Sequence, residues 1–255
     1  MTREDRVTLD AFRCFSDSAE VGGAVVLRVP EAPSSPMLNR VVGLGLDRPA
    51  TEEDVDGALA AIGPGVSFYV SVAPAAVPAE LPGWLQARGL EPGWGWMGFR
   101  RGVADPPAFA TGLRLVEVAT ADDAATFAGI VREGYGLPAA VEARVALAPA
   151  VGWLCWLALD GDLAAGAAGM YVAEGVAYLG FSATLAQQRG KGAQNALLAT
   201  RIRRAAELGC DVVLTETGER MPDRVSNSYR NILRAGFEEV GVTANWLRNV
   251  PAGEG

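Results

Sequence analysis

The C-terminal half of the chain alternates between two hydrophobic periods. Leu113–Ala119 switches between apolar and polar residues, as a half-buried strand does. Thr120 precedes a helically spaced run, Ala124–Glu133, with Asp122 and Asp123 at its start. A capping hydroxyl and early carboxylates suit the positive end of a helix. A second helix is expected over Ala139–Leu147. Trp153–Leu159 is an apolar strand closed by Asp160-Gly161, and Ala164–Val172 and Val176–Ala183 flank Glu174-Gly175 as strands flank a hairpin turn. Ala193–Leu208 carries apolar positions at Ala193, Ala196, Leu197, Thr200, Ile202, Ala205 and Leu208, with Gly209 as a terminating glycine. Val212–Thr215 reads as a strand, Ser226–Ala235 as a helix closing at Gly236, and Phe237–Leu247 as a strand. The order β-α-α-β-β-β-α-β-α-β places antiparallel strands before β-α-β units and predicts a mixed α/β sheet.

The N-terminal half carries a weaker pattern. Asn39–Leu46 is strand-like, and Thr51 caps a helix that has Glu53 and Asp54 in its first turn and runs to Ile62. Val66–Val72 is a strand, Ala79–Arg88 a helix, and Trp94–Arg100 a strand. Ala87-Arg88-Gly89-Leu90-Glu91 parallels Arg234-Ala235-Gly236-Phe237-Glu238: a helix end, a Gly cap, an apolar residue and Glu, then a Trp-bearing strand. A tandem duplication would explain the parallel; so would the recurrence of helix–Gly–strand corners in unrelated α/β folds. The Pro-rich, aperiodic stretch Arg100–Gly112 is the clearest seam. The expected organisation is a first domain over 1–104, a linker over 105–112 and a second domain over 113–255.

Composition narrows the chemistry. Half of the 255 residues are apolar, enough for a sizeable core. The net charge of −8 argues against nucleic-acid binding, which needs excess Lys and Arg to displace phosphate counterions. There is no His, which removes Ser-His-Asp and Cys-His catalysis and most zinc chemistry. Cys14, Cys155 and Cys210 form no metal or disulfide pattern, and the last two lie in apolar strand-like runs that suit inert buried thiols. Met1–Arg6 is of mixed charge with no apolar segment behind it, and no window approaches 18 uninterrupted apolar residues. No signal peptide and no membrane association are expected, and a cytoplasmic location is.

Phe181–Gln194, FSATLAQQRGKGAQ, is the informative stretch. A strand ends, a loop of glycines and basic residues follows, and a long helix begins at once. A helix N-terminus offers unpaired N–H groups and partial positive charge. Gly190 and Gly192 permit close backbone approach, and Arg189 and Lys191 add full charges, which together suit a pyrophosphate. This loop matches neither GxxxxGK(S/T) nor GxGxxG.

Gln188-Arg189-Gly190-Lys191-Gly192-Ala193-Gln194 resembles motif A of the GCN5-related N-acetyltransferase (GNAT) superfamily, Arg/Gln-x-x-Gly-x-Gly/Ala. Arg189 takes its first place and Gly192 its fourth; Gln194 departs from the small residue at the sixth. The element order after Leu113 is similar too, as is Ser228–Phe237 to the family's last helix and its Gly-Phe ending. The resemblance implies a mixed-sheet, GNAT-like acyl-CoA fold over Leu113–Arg248, preceded by a smaller, degenerate GNAT-like half without a cofactor loop. It implies acetyl-CoA as cosubstrate, an amine acceptor on a small molecule or protein, and no metal. By the resemblance, backbone groups of Ser182, Ala183 and Thr184 pair with the pantetheine arm. Arg189, Gly190, Lys191, Gly192, Ala193 and Gln194 hold the pyrophosphate, and Asn227 lies against the cofactor. The thioester sits where two strands splay apart.

Many members donate the leaving-group proton from a Tyr four residues before the Gly of the Gly-Phe ending. Here that place is Ile232, so Tyr229, three residues earlier on the helix, is the substitute acid considered. Glu216, at the end of Val212–Thr215, is the candidate base or amine anchor. Packing and a solvated carboxylate are the respective alternatives. A non-catalytic acyl-CoA-binding protein of the same fold is the competing function.

Overall fold

The computed structural model describes residues 1–221 and 226–250. The chain divides into two compact units: Met1–Met97 with Gly241 onward, and Gly98–Val240. Both changes of unit fall inside strands.

The first unit contains α1 (Arg3–Arg13), β1 (Asp17–Val21), β2 (Ala24–Arg28), β3 (Arg40–Val42), α2 (Glu52–Ile62), β4 (Phe68–Val72), α3 (Leu81–Ala87), β5 (Glu91–Pro92) and the first residues of β6 (Trp96–Gly102). β1, β2 and β3 pair antiparallel in turn, and β4 joins parallel to β3. A parallel neighbour requires a crossover, which α2 supplies. Thr51 and Asp54 form a capping box at the start of α2, and Arg48 donates two 2.7 Å hydrogen bonds to the Asp54 carboxylate. Val26, Val41, Val55, Ile62, Phe68 and Val70 share the core. α1, β1 and β2 precede the first expected strand, and β2 is buried along Ala24–Leu27. β1 is almost wholly exposed, and only Val7, Leu9 and Ala11 of α1 are buried. The expected strand Asn39–Leu46 shrinks to Arg40–Val42, because Gly43 and Gly45 take left-handed backbone (φ 87° and 74°) that a strand cannot continue through.

The second unit contains the rest of β6, β7 (Arg114–Glu117), α4 (Ala121–Tyr135), α5 (Glu142–Ala146), β8 (Trp153–Asp160), β9 (Leu163–Ala173), β10 (Val176–Thr184), α6 (Ala193–Glu207), β11 (Val212–Gly218), α7 (Asn227–Arg234) and the start of β12 (Glu238–Arg248). β7, β8, β9 and β10 pair antiparallel in sequence order, and β11 joins parallel to β10 across α6. This is the mixed α/β sheet expected. Thr120 caps α4 with Asp123 closing a capping box, and Gly136 ends the helix in left-handed conformation. Glu174 and Gly175 both take positive φ (47° and 75°), the geometry that matches the twist of a two-residue hairpin. The expected linker 105–112 lies within this unit, where the Thr111 hydroxyl donates to the Lys191 carbonyl at 3.2 Å.

β12 leaves the second unit after Val240. Ala244–Arg248 then pairs antiparallel with Val72–Phe68 of β4, so the last strand belongs to the first unit's sheet. Among the described residues, no helix is long and apolar enough to cross a membrane.

Candidate functional site

The second unit's sheet opens on one side. β10 and β11 pair only from Val176↔Val212 to Leu179↔Thr215. The ladder then stops, although β10 continues to Thr184 and β11 to Gly218. β10 also bulges there: against β9 its register runs from Gly180↔Gly169 to Ala183↔Ala167, three steps against two, with Phe181 at φ 52°. Gly169 and Gly180 are required beneath the bulge. A Cβ on Gly180 would fall 2.8 Å from Trp153 Cη2, and one on Gly169 would fall 3.0 Å from Phe181 Cδ2.

A buried cation supports the bulge from below. Arg201 on α6 is 1% exposed, and its Nη1 donates to Gly169 O (2.9 Å) and Gly180 O (3.2 Å) while Nε donates to Leu197 O (3.2 Å). Burial lowers its pKa to about 10, with nearby Tyr135 and Cys155 opposing the shift, so it stays charged at neutral pH. The sequence did carry a sign of this residue: Leu197, Arg201 and Ala205 follow at i, i+4 and i+8 on the apolar stripe of α6, where a charge is out of place.

Beyond the bulge, a cavity of about 660 Å³ runs over the end of β10, the start of α6 and one face of α7. Gly190 and Gly192 both take left-handed backbone (φ 84° and 86°). Gly192 is the N-cap of α6, and no side chain caps it, which leaves the first-turn N–H groups available to a ligand. Ser182, Ala183, Thr184, Arg189, Gly190, Gly192, Ala193, Gln194 and Asn227 all line this cavity. They share the wall with Gly134 of α4 and with Arg230, Asn231 and Arg234 of α7.

Lys191 is placed elsewhere. Its ammonium donates to Asp160 Oδ2 (2.5 Å) and Gln188 Oε1 (2.7 Å), and it is not among the lining residues. Gln194 has a specific task at the place where the family motif has a small residue. Its Nε2 donates to Ser228 Oγ (2.9 Å) and its Oε1 accepts from Asn231 Nδ2 (2.7 Å), so it ties the first turn of α6 to α7. Asn195 Oδ1, also on the cavity-lining stretch, is withdrawn from solvent and accepts no hydrogen bond among the described residues.

The two residues considered for acid–base work lie outside that lining. Tyr229 is buried on α7, its ring edge-on to Phe99 at 4.9 Å and beneath the Arg220 guanidinium. Its hydroxyl donates to Glu239 Oε1 at 2.6 Å. Burial first, and the Glu239 carboxylate second, push its pKa up to about 12 against Arg220. Glu216 follows Thr215 on the part of β11 that has left β10 and is half-buried. A second phenol, unnoticed in the sequence, is coupled to it electrostatically. Tyr135 ends α4, where Gly134 packs so tightly on β10 that a Cβ would lie 2.6 Å from Ala183 Cβ. The residue is 41% exposed, and desolvation pushes its pKa up to about 12, with Glu216 adding to the shift and Arg201 and the Ser182 backbone opposing it. At neutral pH this hydroxyl is protonated.

No protein-family model matches the chain, and no curated protein matches its sequence. Solved structures do match its shape. A GCN5-related N-acetyltransferase from Kribbella flavida superposes with a TM-score of 0.68 at 21% identity, covering 99% of this chain and 97% of its own. The fold is that of the GNAT acetyltransferases. A GCN5-related N-acetyltransferase from Sphaerobacter thermophilus gives a TM-score of 0.64 at 16% identity over 91% of this chain and 82% of its own. A tandem GNAT protein from the clavulanic acid biosynthesis pathway gives 0.59 at 17% identity over 91% and 80%. The likeness therefore spans both units of the GNAT-like chain, including the N-terminal part where the sequence resemblance was faint.

Proposed function

We propose that this chain is an N-acetyltransferase that moves an acetyl group from acetyl-CoA to a primary amine of a small molecule or protein. One observation carries the reading: a single cavity is lined by Arg189, the left-handed Gly190 and Gly192, the uncapped start of α6 and the free end of β10. That is a cradle for a pyrophosphate joined to an extended arm that adds to a strand edge. The likeness to GNAT structures supports the same assignment. The N-terminal unit is proposed as a GNAT-like half without such a loop.

In the proposed reaction the cofactor's pyrophosphate lies on Arg189–Gln194 and its pantetheine arm along Ser182–Thr184. The thioester then sits where β10 and β11 part. The neutral amine attacks the carbonyl carbon, a C–N bond forms, the C–S bond breaks, and the thiolate takes a proton as the ammonium nitrogen loses one. Glu216 is the proposed base or amine anchor. For the proton donor, Tyr135 is the phenol we favour, since it is protonated at neutral pH and senses both the Ser182 backbone and the Glu216 charge, whereas the Tyr229 hydroxyl is committed to Glu239.

Calorimetric titration with acetyl-CoA tests the binding half, beside Arg189→Ala and Gly192→Asp. Arg189→Ala should weaken binding about tenfold, the loss of a charge-assisted hydrogen bond, and Gly192→Asp should abolish it. An amine panel followed by free-thiol release tests the chemical half. Glu216→Gln and Tyr135→Phe should each slow turnover about 100-fold with affinity for acetyl-CoA kept, the range for losing a general acid or base. Absence of acetyl-CoA binding by the intact protein refutes the proposal. Binding without turnover on any amine leaves a non-catalytic acyl-CoA-binding protein.

A further inference from the structure

The cavity holds more positive charge than a pyrophosphate loop requires. Among the described residues, its lining contains three arginines and no carboxylate: Arg189 on the loop, and Arg230 and Arg234 on α7. This is in a chain whose acidic residues outnumber its basic ones, 30 to 22. Several arginines elsewhere are matched with carboxylates, as Arg48 is with Asp54, Arg88 with Asp56 and Arg132 with Glu142. The two on α7 touch only neutral amides among the described residues. Arg230 Nη2 donates to Asn227 Oδ1 at 2.6 Å, and Arg234 Nη1 donates to Asn231 Oδ1 at 3.2 Å. These amide contacts orient the guanidiniums without neutralising them. At i and i+4, the pair shares one helix face, the face that borders the cavity.

The spacing from the loop is fixed as well. Gln194 holds Ser228 and Asn231, which alternate with Arg230 along α7, and Asn231 in turn holds Arg234. Gln194 thus couples the helix start that would cradle a pyrophosphate to the helix that carries the paired arginines. A small residue at position 194 would make neither bond.

We infer that Arg230 and Arg234 form a second anion locus that takes a separate phosphate monoester of the bound nucleotide, so that the site selects a nucleotide with a phosphate beyond the pyrophosphate. The inference rests on the acyl-CoA reading and refines it: the site should discriminate between coenzyme A and dephospho-coenzyme A, which differ only by the ribose phosphate. Lys191 cannot supply this charge, because Asp160 and Gln188 hold it outside the lining.

The test is calorimetry of the intact 255-residue chain with coenzyme A and with dephospho-coenzyme A, repeated on Arg230→Ala/Arg234→Ala and on Gln194→Ala. The intact protein should bind coenzyme A about 10- to 100-fold more tightly, the worth of charge-assisted contacts to one phosphate. In the double variant the two ligands should bind alike, at the affinity the intact protein has for dephospho-coenzyme A. Gln194→Ala should narrow the gap with both arginines still present. Both α7 arginines are exposed, so folding is not at stake. Equal binding of the two nucleotides by the intact protein overturns the inference and leaves the acyl-CoA reading standing. A gap that survives the double substitution overturns the assignment to α7. Binding of neither nucleotide removes the acyl-CoA reading and the inference with it.

Discussion

Replacing Gly134 with alanine sets two opposed effects against each other at the edge of the cavity. Gly134 is the penultimate residue of α4, and alanine there gains helix propensity worth about 0.8–1 kcal/mol. The added Cβ, however, would lie 2.6 Å from Ala183 Cβ and 3.5 Å from Ala183 Cα. Carbon atoms in good contact stand about 3.5–4.0 Å apart, so helix and strand must separate by roughly 1 Å. Ala183 cannot yield by rotating a side chain; its position is set by pairing with Ala167 on β9. Overpacking of this kind costs about 1–3 kcal/mol, so the clash should win, leaving a net loss of about 1 kcal/mol. Ala183 also lines the cavity, and displacing it should weaken acetyl-CoA binding in the same variant. Urea unfolding of the wild type, Gly134→Ala, Ala183→Gly and the double variant reads the argument directly. Ala183→Gly removes the atom that is struck, so the cycle should show a favourable coupling of about 1–3 kcal/mol and the double variant should recover acetyl-CoA affinity. A Gly134→Ala protein at least as stable as the wild type, with no coupling in the cycle, would refute the reasoning.

Three further outcomes follow from the same geometry. Lys191→Ala should change acetyl-CoA affinity less than about twofold in calorimetry and stability by less than about 1 kcal/mol, because the lysine is spent on a half-exposed pair with Asp160. Tyr229→Phe should cost about 0.5–1.5 kcal/mol in urea unfolding by removing the hydrogen bond to Glu239, with turnover unchanged; a large fall in turnover at unchanged stability would restore it as the acid. The Arg48 guanidinium, as the main cause, lowers Asp54 to about 2, below its unfolded value of about 3.9. A depressed carboxylate stabilises fully above the unfolded pKa, so about 1–2 kcal/mol should be lost between about pH 4 and pH 2, and Asp54→Asn should flatten that part of the stability profile.

The elements of the second unit were legible in the sequence because each is encoded by neighbouring residues. Thr120 with Asp123, Ser226 at the start of α7, and Glu174-Gly175 at the hairpin act through hydrogen bonds and backbone angles that span a few positions. The loop was legible for the same reason: left-handed glycines followed at once by a helix start need nothing from elsewhere in the chain. The N-terminal elements were faint where the strand is exposed on nearly every residue, as in β1, since burial on one face is what writes the alternation. What only tertiary structure decided is where long polar side chains point. Lys191 belongs to the loop by sequence, yet Asp160, distant along the chain, draws its ammonium away from the cavity. Gln194 looked like a departure from a motif until α7 supplied Ser228 and Asn231 as its partners. Glu239 holds the Tyr229 hydroxyl, while α4, packed through Gly134 onto β10, brings Tyr135 within reach of the Ser182 backbone and the Glu216 charge. A flexible side chain takes its direction from whichever charges and dipoles the fold brings within reach, and those are set by contacts between segments far apart in the chain.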